Sequence, residues 1–195
     1  MKQPSAPADP LILAFGDSLI AGYGLAPADA FPARLQDRLG QGAQVIPAGR
    51  SGDTTDDALR RLPRVLAGLT RRPDLAIVQI GANDVLRGIP PQQTRARLDK
   101  ILNEFSRCGI PVLLTTIDPP AFLAHRTQGY VQIHADCARR HGAATCSFFP
   151  AGVLGHPGLT LADRVHPNAA AIARVVDHVL PAVTAALGAG ERAAA

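Results

Sequence analysis

The run Leu11-Ile12-Leu13-Ala14-Phe15-Gly16-Asp17-Ser18-Leu19 decides how this chain is read. Five apolar residues without polar alternation predict a strand covered on both faces, as parallel sheets require. The Gly-Asp-Ser that follows predicts a turn delivering the Ser18 hydroxyl to the carboxyl edge of that sheet. Upstream, residues 1–10 are rich in Pro and Ala and are expected to form a flexible lead-in.

Downstream, short apolar runs alternate with helical periods. Ala43 to Ile46 predicts a second strand stopped by Pro47, and Leu75 to Ile80 a third. Ile110 to Ile117 and Ala143 to Phe148 predict the fourth and fifth. Between them, a helix capped by Asp29 is expected to run to Leu39, where Gly40 and Gly42 end it. Leu59, Leu62, Leu66 and Leu69 give the period of a helix over about Asp56 to Leu69, with a kink or a division into two shorter pieces expected at Pro63. Leu98, Ile101, Leu102 and Phe105 mark another over about Gln92 to Cys108. A further helix ends near His141, and a closing one spans Asn168 to Leu187, with Pro181 expected to interrupt it. The pattern is one of repeated βα units: a parallel sheet with helices on both faces, in one domain over residues 11–187 and a flexible tail over 188–195.

Bulk properties narrow the function classes. A chain of 195 residues can bury roughly 70% of its unfolded surface around one core. Hydrophobic residues make up 47%, which excludes general disorder, and with aromatics at 4% the core must be Leu, Ile, Val and Ala. The net charge of +4 comes mostly from scattered arginines. No run approaches the dense basic patch of a nucleic-acid binder, so these arginines read as a solvated face. Cys108, Cys137 and Cys146 lack CxxC spacing; their odd number rules out a full disulfide framework and leaves a single bridge open. No uninterrupted apolar run reaches the ~18 residues of a membrane span, so no stable membrane insertion is expected. Residues 1–10 show no secretion signal. This fits a cytoplasmic chain if the N-terminus is natural, and a periplasmic or secreted one if it is trimmed. Nothing indicates a homo-oligomer or excludes one.

Polar groups in such a fold collect beyond the carboxyl ends of the strands. Ser18 follows strand one, Gly52 strand two and Asn83 strand three, while Asp163 and His166 precede the closing helix. The chain order Ser, Asp, His is one of those that build a serine–histidine–carboxylate triad. In that reading His166 takes the Ser18 proton, Asp163 orients the imidazole, and the amides of Ser18 and Gly52 with the Asn83 side chain face a developing oxyanion. Each residue also has a bland reading: Gly52 as a tight turn, Asn83 as a cap on the loop at Gly81, His166 as a helix entry, Asp163 as a cap. Their joint placement at strand ends favours chemistry. His134, Asp136 and Cys137 are too compact for a usual zinc set, and no metal or other cofactor is expected. There is no Walker pattern and no GxGxxG after strand one.

Phe15-Gly16-Asp17-Ser18-Leu19, Gly52 within Ser51-Gly52-Asp53-Thr54, Gly81-Ala82-Asn83-Asp84 and Asp163-Arg164-Val165-His166-Pro167 stand in one order. Together they resemble the four sequence blocks of the SGNH, or GDSL-type, serine hydrolase family. The resemblance runs from about residue 11 to residue 187. It implies a flavodoxin-like three-layer α/β/α sandwich with a five-stranded parallel sheet. It also implies Ser18 as nucleophile, His166 as base, Asp163 as its orienter, and Ser18, Gly52 and Asn83 as the oxyanion hole. Leu86-Arg87-Gly88 and Pro90-Pro91-Gln92-Gln93-Thr94 further resemble the bacterial lysophospholipase L1, acyl-CoA thioesterase I and arylesterase subgroup. One departure is Pro47-Ala48, where that subgroup usually has Asn-Ala.

The expectation is a serine hydrolase of small carboxylic esters, arylesterase-like, with short to medium acyl chains. Leu86, Ile89, Phe122 and Leu123 are candidate walls of a shallow acyl pocket, and Arg87 or Arg126 a candidate contact for an anionic substrate portion. The rival readings are an acyl-CoA thioesterase or lysophospholipase, a carbohydrate O-acetylesterase, and a non-catalytic binding module on the same sheet. A serine-directed fluorophosphonate separates the last of these from the enzymes.

Overall fold

Period-two alternation within the first strand explains the layering. A computed structural model of the chain describes residues 9–117 and 124–194. Strand β1 (Leu11–Gly16) sends Ile12 and Ala14 to one face of the sheet and Leu13 and Phe15 to the other. All of them are fully buried. Around β1 lie β2 (Gln44–Gly49), β3 (Leu75–Gln79), β4 (Val112–Thr116) and β5 (Ala144–Ser147), in the order β2-β1-β3-β4-β5, every pair parallel.

Two cores result. On one face Phe31 and Leu35 of α2 (Phe31–Leu39) and Ile172, Val175, Val176, Val179 and Val183 of α8 (Ala169–Ala194) cover Ile12, Ala14, Ile77 and Leu113. On the other, α3 (Thr55–Ala67), α5 (Pro91–Arg107) and α7 (Ile133–His141) cover Leu13, Phe15, Ala76, Val78 and Leu114. Among the described residues three short helices complete the order, α1 (Ser18–Ala21), α4 (Ala82–Leu86) and α6 (Ala124–Thr127), with a 3-10 turn at Pro27–Asp29. The expected three-layer α/β/α arrangement is what the chain adopts.

Several boundaries differ from the sequence reading, and prolines account for most of them. Strand β2 continues through Pro47 to Gly49 because it lies at the sheet edge, where a missing N–H leaves no inner neighbour unpaired. Helix α3 passes Pro63, and α8 passes Pro181, without a break. Both prolines sit on exposed helix faces. The expected flexible tail is helical as far as Ala194. Asp29 does not cap α2; it ends the 3-10 turn, and α2 begins after Ala30 with Pro32 in its first turn. The three cysteines are free thiols. Residues Ala169–Ala189 of α8 are long and apolar enough by composition to cross a membrane. Here the apolar stripe of that helix packs on the sheet.

Candidate active site

The turn after β1 is fixed by a buried carboxylate. Asp17 is the N-cap of α1, its Oδ1 accepting the Leu19 amide at 3.0 Å, and Ser18 is the first helical residue. The backbone N–H of Asp17 bonds the Gln79 carbonyl at 3.2 Å, so the turn is anchored to the neighbouring strand. Gly16 makes this possible: a Cβ there would lie 2.1 Å from the Gln79 oxygen. Gly49 allows the matching approach on the other side, since its Cβ would lie 2.3 Å from the Ala21 nitrogen.

The segment from Leu159 to Asn168 folds back on itself and hangs over this turn. Leu161 donates to the His166 carbonyl at 2.8 Å, Asn168 donates to the Leu159 carbonyl at 3.0 Å, and Thr160 and Pro167 form an antiparallel bridge. Asn168 then caps α8 through the Ala171 amide. At the tip, Asp163 Oδ1 accepts the backbone amides of Val165 and His166, and Arg164 takes a φ of 58°, uncommon for a residue with a side chain.

Asp163 Oδ2 lies 2.6 Å from His166 Nδ1, and His166 Nε2 lies 2.9 Å from Ser18 Oγ. The imidazole hydrogen bond and the two backbone amides hold the Asp163 carboxyl down at about 2. An ionised carboxylate can only accept, so it fixes the imidazole proton on Nδ1. Nε2 then carries the lone pair that receives the Ser18 hydroxyl proton. Tyr23, 53% exposed, stacks its ring on His166 with centroids 4.4 Å apart.

The register sets Gly16 opposite both Gly49 and Gln79, so the loops after β1, β2 and β3 rise side by side. Gly52 in the second loop has a φ of 84°, and its carbonyl accepts Arg87 Nη2 at 2.7 Å. Asn83 in the third donates one amide N–H to the Asp53 carbonyl at 3.0 Å, which leaves the other N–H of the same group for a ligand. Thr54 begins α3 with a reciprocal capping box to Asp57, and that box ends the Gly52 loop.

Beneath these loops lie three buried carboxylates and one guanidinium. Asp84 accepts Thr55 N at 2.8 Å, Thr55 Oγ1 at 2.5 Å and Thr94 Oγ1 at 3.0 Å, tying α3, α4 and α5 together. Asp53 pairs with Arg61 Nε at 2.5 Å, and Arg61 Nη2 donates to the Gly16 carbonyl at 2.8 Å. The same guanidinium sits 4.3 Å over the Phe15 ring. Burial pushes the Asp17 carboxyl up to about 7; the Leu19 amide opposes this, and the charges of Asp53 and Asp84 add to it.

A model of the GDSL-like lipase/acylhydrolase family matches residues 14–174. The chain belongs to that family. Esterase TesA of Pseudomonas aeruginosa is 34% identical over 174 residues, covering 87% of this chain and 86% of TesA. Thioesterase 1/protease 1/lysophospholipase L1 of Escherichia coli K12 is 35% identical over 165 residues, 84% of this chain and 78% of that one. The crystal structure of AlinE4, an SGNH-hydrolase family esterase, superposes with a TM-score of 0.75 at 40% identity, covering 94% of this chain and 99% of that one.

In this GDSL-type chain the residues singled out by sequence fall at one sheet edge. Ser18, His166 and Asp163 form one hydrogen-bonded chain, and Gly52 and Asn83 lie in the two adjacent loops. Leu86 ends α4 with an exposed side chain, and half-buried Ile89 follows it, its carbonyl held by the Tyr130 hydroxyl. Phe122 and Leu123 lie outside the described residues, as does the side chain of Arg126. His134, Asp136 and Cys137 turn to separate partners: His134 to the Ile80 carbonyl, Asp136 to Arg95 and Arg139, and Cys137 into the core. Sequence reasoning missed Tyr23, the Arg87 tie to Gly52 and the Asp84 hub. Asp84 stood inside a quoted motif, but its partner Thr55 is 29 residues away, and no local spacing links them.

Proposed function

We propose that this chain hydrolyses small carboxylic esters through an acyl-enzyme on Ser18. The observation that carries the reading is the unbroken run of hydrogen bonds from Asp163 through His166 to Ser18. Ser18 Oγ attacks the ester carbonyl as His166 Nε2 takes its proton, and Asp163 stabilises the imidazolium while staying ionised. Charge then develops on the carbonyl oxygen. In this reading the backbone amides of Ser18 and Gly52 and the unused N–H of Asn83 receive it, and losing one such donor typically costs about 3–4 kcal/mol. Collapse of the tetrahedral intermediate expels the alcohol, protonated by His166. Water, deprotonated by the same imidazole, then frees the acid and restores Ser18.

The acyl group is assigned to the loop after β3, with Leu86 and Ile89 as walls. Leu86 is already 52% exposed and offers apolar contact with little enclosure, which favours short to medium chains. The esterase names borne by TesA and AlinE4 support ester substrates. The test is p-nitrophenyl acetate hydrolysis by purified wild-type and Ser18→Ala protein. The variant is expected to fall to background, and retention of most of the rate would refute the assignment. Rates across acyl lengths test the pocket, which a strong preference beyond C12 would reject.

A further inference from the structure

Beside the Gly52 loop is a cleft of about 490 Å³ lined by Arg50, Arg60, Arg61, Arg64 and Arg87. Only two carboxylates, Asp53 and Asp57, share the lining, and no aliphatic side chain does. Two of the five arginines are neutralised locally. Arg61 is paired with Asp53, and Arg60 bridges Asp56 at 2.9 Å and Asp57 at 2.6 Å.

The other three are not. The Arg64 guanidinium has no hydrogen-bond or ion-pair partner among the described residues, and Arg50 pairs only at 4.0 Å with an Asp53 already held by Arg61. Arg87 spends one N–H on the uncharged Gly52 carbonyl. Three guanidinium groups with little or no local counter-charge therefore share one concave surface, an arrangement whose self-repulsion a bound anion relieves. Guanidinium forks match the tetrahedral oxygens of a phosphate, and a lining without aliphatic or aromatic side chains gives an acyl chain little to pack against.

We propose that this cleft is a binding site for a phosphate group, held by Arg50, Arg64 and Arg87 at the outer side of the Gly52 loop. The phosphate is either carried by the alcohol portion of the ester or free in solution. Only this relation to the reaction rests on the function proposed above; the site itself does not. A ligand on Arg87 also bears on Gly52, because one guanidinium would hold both.

Binding is measured first on Ser18→Ala protein, by titrating inorganic phosphate and glycerol 3-phosphate and following the phosphorus resonance. Saturable binding is expected, weakened by about tenfold or more in Arg50→Glu/Arg64→Glu, as the loss of charge-assisted contacts implies. Arg72→Glu/Arg174→Glu removes the same charge elsewhere on the surface and is expected to change the affinity little. Turnover of 1-octanoylglycerol and 1-octanoylglycerol 3-phosphate by protein with Ser18 intact then separates the two sources. A higher kcat/KM for the phosphate ester, lost in the cleft variant, assigns the phosphate to the substrate. Equal kcat/KM for the two esters, with inorganic phosphate altering both rates, assigns it to a free ligand. No saturable binding, or equal weakening by both double variants, would overturn the site. Binding without any ester turnover would leave the site standing and refute the proposed reaction instead.

Discussion

Asp163 holds His166 at two points and Val165 at a third: Oδ2 meets the imidazole Nδ1 at 2.6 Å, while Oδ1 accepts the His166 amide at 3.0 Å and the Val165 amide beside it. One carboxylate thus sets the turn, the ring orientation and the tautomer. Asp163→Asn puts a donor where the ring needs an acceptor, and kcat for p-nitrophenyl acetate is expected to drop by roughly 10³–10⁴-fold with KM little changed. The wild-type carboxyl, held at about 2, stays ionised through mildly acidic pH. Its depressed value stabilises the fold above the ordinary carboxylate range, and that contribution is lost only as pH falls toward 2. Steady-state kinetics of the variant check the first point, and urea unfolding of wild type and variant between pH 2 and pH 6 checks the second.

Arg164 separates the two triad candidates at a φ of 58°. Glycine adopts that conformation without strain, whereas a β-branched residue resists it. Arg164→Gly is expected to keep activity within a few-fold of wild type, and Arg164→Val to lower kcat by about tenfold or more through a displaced imidazole. Parallel kinetics of the two variants, with thermal melts as a folding control, decide it.

Asp17 makes stability fall as pH rises. Burial raises its carboxyl to about 7 in the folded chain, against 3.8 for an ordinary Asp, so between these the native state binds more protons than the unfolded one. Unfolding free energy is therefore expected to decline from about pH 4 to pH 7 on account of this group. Asp17→Asn keeps the acceptor for the Leu19 amide and removes the charge. Urea titrations at pH 5 and pH 8 should show a smaller difference between the two pH values for the variant than for wild type. An unchanged difference would contradict the assignment.

Gly16 is a position that no other residue fits. Gly16→Ala places a methyl 2.1 Å from the Gln79 oxygen and 2.8 Å from Ile20 Cγ1, and both strands there are central in the sheet. The loss of unfolding free energy is expected to be about 3 kcal/mol or more, read from the urea midpoint.

Much of this was legible in the sequence because its signals are local. The unalternating run Leu11 to Phe15, closed by Gly16, reads as a strand buried on both faces, and Asp163-x-x-His166 lies within one turn, so the first strand and the triad candidates followed from short stretches. What escaped depends on tertiary placement. Pro47 reads as a strand stop unless the strand is known to be at the edge, and Pro63 and Pro181 read as breaks unless they are known to face water. The same holds for Arg87 on the Gly52 carbonyl, 35 residues back, and for Tyr23 on the His166 ring. The clustering of Arg50, Arg64 and Arg87 is likewise invisible along the chain, where scattered arginines look like a solvated surface.

The most direct test of the central claim is the intact mass of the protein after reaction with a fluorophosphonate, followed by peptide mapping. One adduct per chain is expected, on Ser18, with none formed by Ser18→Ala and little by His166→Ala. An unlabelled Ser18 in folded, ester-cleaving protein, or an adduct on another residue that survives Ser18→Ala, would contradict it.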